Sequence, residues 1–195
     1  MTINILDIAS LAADASLPLI FYEVLRDISM YLARHRAPIH AWQVVEQVAG
    51  PIERNWFENE LWGSPVSAMA YVDILERKRP AIRAAYETCF SDARLDALVL
   101  PTTPLPARPV GDDENVELNG ARVPTMPTYI RNTDASSIAG LVSITVPAGL
   151  TDTGLPVGVS FDGLPYTDAK ILAIAHAFQK EVPTIPFPVL SKVRG

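Results

Sequence analysis

Ser136 and Ser137 are the only two serines that adjoin in this sequence of 195 residues, and a serine hydroxyl can serve as a nucleophile. For that it needs a neighbouring base and, in acyl transfer, backbone donors aimed at the oxyanion. The flanks are Asp134-Ala135 and Ile138-Ala139, so the glycine-rich loop that would expose such donors is missing. A cap on a short helical turn before Leu141 accounts for the pair better. His35, His40 and His176 fall in separate helical patterns, with no metal-ligand spacing. With a single cysteine and no H-E-x-x-H, zinc has no ligand set, and no metal or cofactor is expected. His176 reads as a surface or partly packed residue, and Cys89 as a buried thiol. Glu58 and Glu60 read as a solvated helix face, and Asp112-Asp113-Glu114 as a solvated loop. There is no G-x-S-x-G elbow, P-loop or dinucleotide fingerprint.

The composition limits what such residues could serve. A hydrophobic fraction of 49% and a charged fraction of 19% exclude a disordered chain. A net charge of -6 argues against nucleic acid, which needs clustered Lys and Arg. The mean hydropathy is +0.18, yet no membrane span is expected, because Pro18 and Glu23 break the best run, Leu17 to Leu25. Surface normally buried against more protein would give the same apolar excess. One cysteine precludes an internal disulfide, and the N-terminus shows neither signal nor transit features, so a cytoplasmic setting is expected.

The elements that must hold any site divide into two halves. Residues 1–94 read as mainly helical. A helix capped by Asp14 or Ser16 is predicted to begin near Pro18 and to stop before Pro38. Shorter helices are predicted over Ile39 to Val48 and Ile52 to Leu61. Ser64-Pro65 is a start signal for another, which Pro80 must kink or split. Residues 95–180 read as strands, loops and a last helix. Ala97 to Leu100 suits a strand buried on both faces, followed by proline-rich loop to Pro109. Asn119-Gly120 between short alternating stretches signals a hairpin. Ile144 to Val146 and Val157 to Phe161 are two further strands, and Asp168 is the expected cap of the final helix. Residues 181–195, with Pro183, Pro186 and Pro188, read as irregular tail. Strands so few and dispersed cannot close a barrel and leave edges exposed. One partial domain is therefore expected, with its sheet continuing in other protein.

Three blocks carry a family resemblance. The run Asn132 to Gly149 contains Ala139-Gly140-Leu141-Val142-Ser143-Ile144-Thr145-Val146-Pro147-Ala148-Gly149, and Gly154 to Val159 reads G-L-P-V-G-V. Upstream, Asp96 to Pro104 reads D-A-L-V-L-P-T-T-P. Together they resemble the C-terminal part of the amidase-signature family. Leu17 to Leu32 and Phe161-Asp162-Gly163-Leu164-Pro165 are most similar to its mandelamide and indoleacetamide hydrolase branch. Val142 stands where the family usually has proline.

The resemblance implies an α/β fold: the C-terminal portion of an α/β/α sandwich around a mixed sheet, with a helical first half. It also implies hydrolysis of linear C–N amide bonds by a Ser, cis-Ser, Lys triad. In that family the triad lies N-terminal to everything in this sequence, so no catalytic residue carries over. Alone, the chain is expected to be inactive, only marginally stable and prone to self-association through exposed apolar surface. What carries over is the substrate pocket: Thr103 and the stretch Ile130, Arg131, Asn132 and Thr133. The same stretch also reads as a surface charge, Arg131, with Asn132 and Thr133 capping a turn. The small-molecule amide substrate would bind only with a triad-bearing half. The rival reading is a non-catalytic binding or assembly module that pairs with a separate triad-bearing chain.

Overall fold

The computed structural model describes residues 1–5, 7–111 and 114–186. Helix α1, Ile8–Arg34, starts ten residues before Pro18 and carries that proline inside it, which corrects the expected start and its Asp14 or Ser16 cap. A proline in a helix interior leaves the carbonyl four residues back without its donor. Here that carbonyl belongs to Asp14, and Lys78 Nζ donates to it at 3.0 Å. The helix ends before Pro38, as predicted, with His35 and Ala37 amides closing its last turn. Over its 27 residues α1 is long and apolar enough to cross a membrane by length and composition, contrary to the expectation from Leu17 to Leu25. Its Ala12, Ala15, Ser16 and Phe21 are nevertheless buried against protein.

Helices α2 (Ala41–Glu46) and α3 (Pro51–Phe57) follow, the latter running into a π-helical turn, Glu58–Gly63. Helix α4, Ala68–Asp73, is capped by Ser67, which accepts from the Ala70 amide at 3.2 Å. Ser64, the predicted cap, lies outside the helix. A second π-helical turn, Ile74–Lys78, links α4 to α5, Arg79–Ala93. Pro80 thus sits directly after a widened turn, which is how the expected interruption is realised.

Strand β1, Leu98–Pro101, lies at an edge, in the order β1-β5-β4 with β4 at Val142–Leu150 and β5 at Pro156–Gly163. All pairings in this sheet are antiparallel. Burial on both faces was expected for β1 but belongs to β5, at Ser160 to Gly163, while Val99 is 61% exposed. A strand's rank in the sheet is non-local, and an apolar run does not reveal it. The predicted hairpin forms from β2 (Asn115–Leu118) and β3 (Ala121–Pro124). Its turn residues Asn119 and Gly120 have φ of 52° and 79°, the left-handed values that select this dipeptide.

Helix α6, Thr125–Ala139, is longer than the short turn expected there. Its polar sequence hides it from periodicity, and Pro127 is tolerated in a first turn. Ser136 and Ser137 therefore lie in its last turn and cap nothing. Gly140, at φ 69°, terminates it. Helix α7, Asp168–Glu181, follows Thr167, which takes the capping position expected of Asp168.

The core has two parts. Ala12 and Ala15 of α1, Ile82, Tyr86 and Phe90 of α5, and Ala135, Ile138 and Ala139 of α6 form one. Val146 and Phe161 of the sheet pack with Ile171 and Ala175 of α7 in the other. Asp112, Asp113 and Pro188, noted in the sequence, lie outside the described residues.

Candidate functional site

The segment Ile130 to Thr133 lies in the middle of α6, so Asn132 and Thr133 do not cap a turn. Asn132 Nδ2 donates to the carbonyl of Pro101, at the end of β1, at 2.8 Å. One helical turn earlier Tyr129 donates its hydroxyl to the Pro106 carbonyl at 2.6 Å. These two bonds tie α6 along the proline-rich loop that carries Thr103. Thr103 Oγ1 donates to Leu105 O at 2.8 Å, folding the loop on itself. Thr133 Oγ1 donates to Ile130 O at 3.0 Å, a back-bond within the helix.

The named residues converge on one strand end but face two clefts. Arg131 and Asn132 line a cleft of about 460 Å³ with Asn4, Ile8, Tyr86 and Leu100. Thr103 lines another of about 470 Å³, with Pro104, Leu105, Ala148 and Val159. Leu100 contributes to both, so β1 is the wall between them. Ile130 and Thr133 are half-buried and line neither.

A third cleft, of about 630 Å³, opens where the N-terminal residues Met1 to Ile5 pass the sheet, and Tyr86 and Asp162 line it. Asp162 is only 2% exposed, and burial raises its carboxyl above the ordinary range. Ser143 Oγ opposes that shift by donating to Asp162 Oδ1 at 2.5 Å. Ser136 opposes it as well, although its Oγ also lies 3.1 Å from Thr133 O and its single proton serves one acceptor at a time. Burial also pushes the Tyr86 hydroxyl up to about 12, with the Asp162 charge adding to the effect. Next to Asp162 on the same face of the sheet, Ser160 is 1% exposed. Its hydroxyl meets those of Thr102 at 2.9 Å and Thr145 at 3.0 Å. Sequence reasoning singled out neither Asp162 nor Ser160 for chemistry. Their signal was available: polar residues alternating with Val159 and Phe161 in a strand otherwise expected to be apolar.

Among the described residues no group of three or more His, Cys, Asp or Glu could hold a metal. His176 is exposed, and Cys89 is half-buried with its thiol raised by burial. No serine among the described residues is hydrogen-bonded to a lysine or histidine.

Antiparallel strands under α7, a helical first half and the helix-to-strand turn at Gly140 define a piece of an amidase-type α/β fold. Residues 4–172 match the family described as Amidase, and the chain belongs to that family. It is 36% identical to an indoleacetamide hydrolase of Agrobacterium vitis over 178 residues, which make up 91% of this chain and 38% of that relative. Identity to a mandelamide hydrolase of Pseudomonas putida is 30%, over 99% of this chain and 39% of the relative. A crystal structure of an amidase superposes with a TM-score of 0.68 at 25% identity, covering 91% of this chain and 37% of that one. The chain thus spans a little over a third of the relatives it matches.

Proposed function

We propose that this chain supplies substrate-pocket and packing surface for hydrolysis of a linear amide, while the activated serine and its lysine come from protein outside it. The observation that carries this is the Asn132 bond to Pro101 O, which joins two family blocks 31 residues apart at the end of β1. Thr103 and Ile130 to Thr133 then act on the acyl portion of the substrate, by contact and by alignment. The similarity to indoleacetamide and mandelamide hydrolases points to arylacetamides as the substrate class.

Alone, the chain should not hydrolyse indoleacetamide or mandelamide above background. Mixing it with the triad-bearing N-terminal portion of a related amidase should restore turnover. In the restored enzyme Asn132→Ala and Thr133→Val should raise KM or change which amides are accepted, with kcat for the best substrate little changed. Glu58→Gln, at an exposed position, should do neither. A mixture that forms a complex yet stays silent would favour the assembly-module reading. Turnover by the chain alone that disappears on Ser137→Ala would overturn the proposal.

A further inference from the structure

Tyr86 and Asp162 are buried polar side chains, 6% and 2% exposed. Tyr86 comes from α5 and Asp162 from the central strand β5, where it pairs with Leu98 of β1. Both line the cleft of about 630 Å³ beside the N-terminal residues, whose apolar walls include Ile3, Ile5, Leu98 and Leu100. Among the described residues no Lys, Arg or His lines this cleft, and Met1 at its rim is 89% exposed.

The fold does not use up either group. Ser143 donates to one oxygen of Asp162 and Ser136 can bring a second hydroxyl, whereas a carboxylate accepts about four hydrogen bonds. Tyr71 and Tyr129 donate their hydroxyls to protein acceptors, but among the described residues the Tyr86 hydroxyl has no partner. The sealed side-chain atom left unpaired among those residues is Thr125 Oγ1. The Tyr86 oxygen therefore opens onto space, and its residue lines this cleft and the neighbouring one of Arg131. The charge of Asp162 acts on that hydroxyl without a hydrogen bond between the two, which leaves a gap for a third group. A positively charged N–H donor suits the gap. It offsets the cost of burying the carboxylate and can donate to the phenolic oxygen as well. The apolar walls call for a hydrocarbon stem behind that donor. An anion would be repelled by Asp162, and a pure hydrocarbon would leave both polar groups unpaired.

We propose that the Tyr86–Asp162 cleft binds a small organic ammonium ion on an apolar stem, its N–H groups shared between the carboxylate and the phenol. The amide-hydrolysis reading does not require this site, so the two fail separately. The test is calorimetric titration of the full chain with 2-phenylethylammonium chloride at constant ionic strength. Its neutral counterpart, 2-phenylethanol, is titrated in parallel. Saturable 1:1 binding of the ammonium is expected, with the alcohol weaker by about tenfold or more because it lacks the charge. Asp162→Asn should weaken binding of the ammonium by roughly tenfold or more, and Tyr86→Phe severalfold. Circular dichroism establishes that each variant is folded, and the comparison of the two probes on the parent chain needs no variant. Absence of saturation in the folded parent, or equal affinity for the alcohol, would overturn the site. So would a folded variant of either residue that binds the ammonium as tightly as the parent.

Discussion

The helical block and the three-stranded sheet are held by different means. In the block, side chains distant in sequence complete the helices: Lys78 serves the Asp14 carbonyl, and Arg79 and Arg83 serve the end of α6. Ser16 of α1 also bonds Asp134 of α6. In the sheet, register follows from alternation, with Ile144, Val146 and Phe161 toward α7 and Ser143, Ser160 and Asp162 on the other face. Irregular helices thus need tertiary partners, whereas strand register follows local alternation even though a strand's place in the sheet does not.

The sharpest way to break this contrast is to empty each core and compare. Ile82, in the helical block, and Ile171, under the sheet, are both 0% exposed. Each Ile→Ala change should cost about 2–5 kcal/mol in urea unfolding. If the block depends more on tertiary contacts, Ile82→Ala should also reduce helical circular dichroism before global unfolding, and Ile171→Ala should not. A loss of helix equal in both would erase the distinction.

Asp162 tests the polar face of the sheet through pH. Its folded carboxyl is raised by burial, so its contribution to stability is present in acid and is lost as pH rises through the folded value. Asp162→Asn should therefore raise stability at pH 7 and flatten the decline with pH above the ordinary carboxylate range. Thermal melts from pH 4 to 8 read both, and a melting temperature that falls at pH 7 would contradict the assignment.

A smaller effect sharpens the helical side. Lys78→Ala should cost about 0.5–1 kcal/mol while Pro18 is present, since the Asp14 carbonyl loses its donor. In a Pro18→Ala background the helix can supply its own amide, and the same change should cost markedly less. A double-mutant cycle of melting curves measures the difference, and additivity would show that the lysine serves nothing specific. The smallest effect belongs to β1, where Val99→Thr at an exposed edge should change stability by no more than about 0.5 kcal/mol.

The same contrast explains what the sequence made legible. The hairpin was readable from Asn119-Gly120, and β4, β5 and α7 from their spacing, because those signals are local. The start of α1, the cap at Ser67 and the length of α6 were not. Pro18 looks like a start until Lys78 is brought beside Asp14, and α6 is too polar to display a stripe. For the candidate site, the family blocks marked Thr103 and Ile130 to Thr133. That Leu100 divides their clefts, and that Asp162 is buried beside Tyr86, depends on strand order and helix packing.

The π-helical turn at Ile74–Lys78 has a consequence for how this segment can change length. A π turn holds one residue more than an α turn and gives the ring of a following proline room beside the preceding carbonyls. Deleting one exposed residue there, such as Glu76, would tighten the turn and press Pro80 against the backbone. Replacing Pro80 by alanine would make the shorter helix acceptable again. Chain length and the proline are therefore coupled in one direction: lineages that lose the extra residue should lose Pro80 with it.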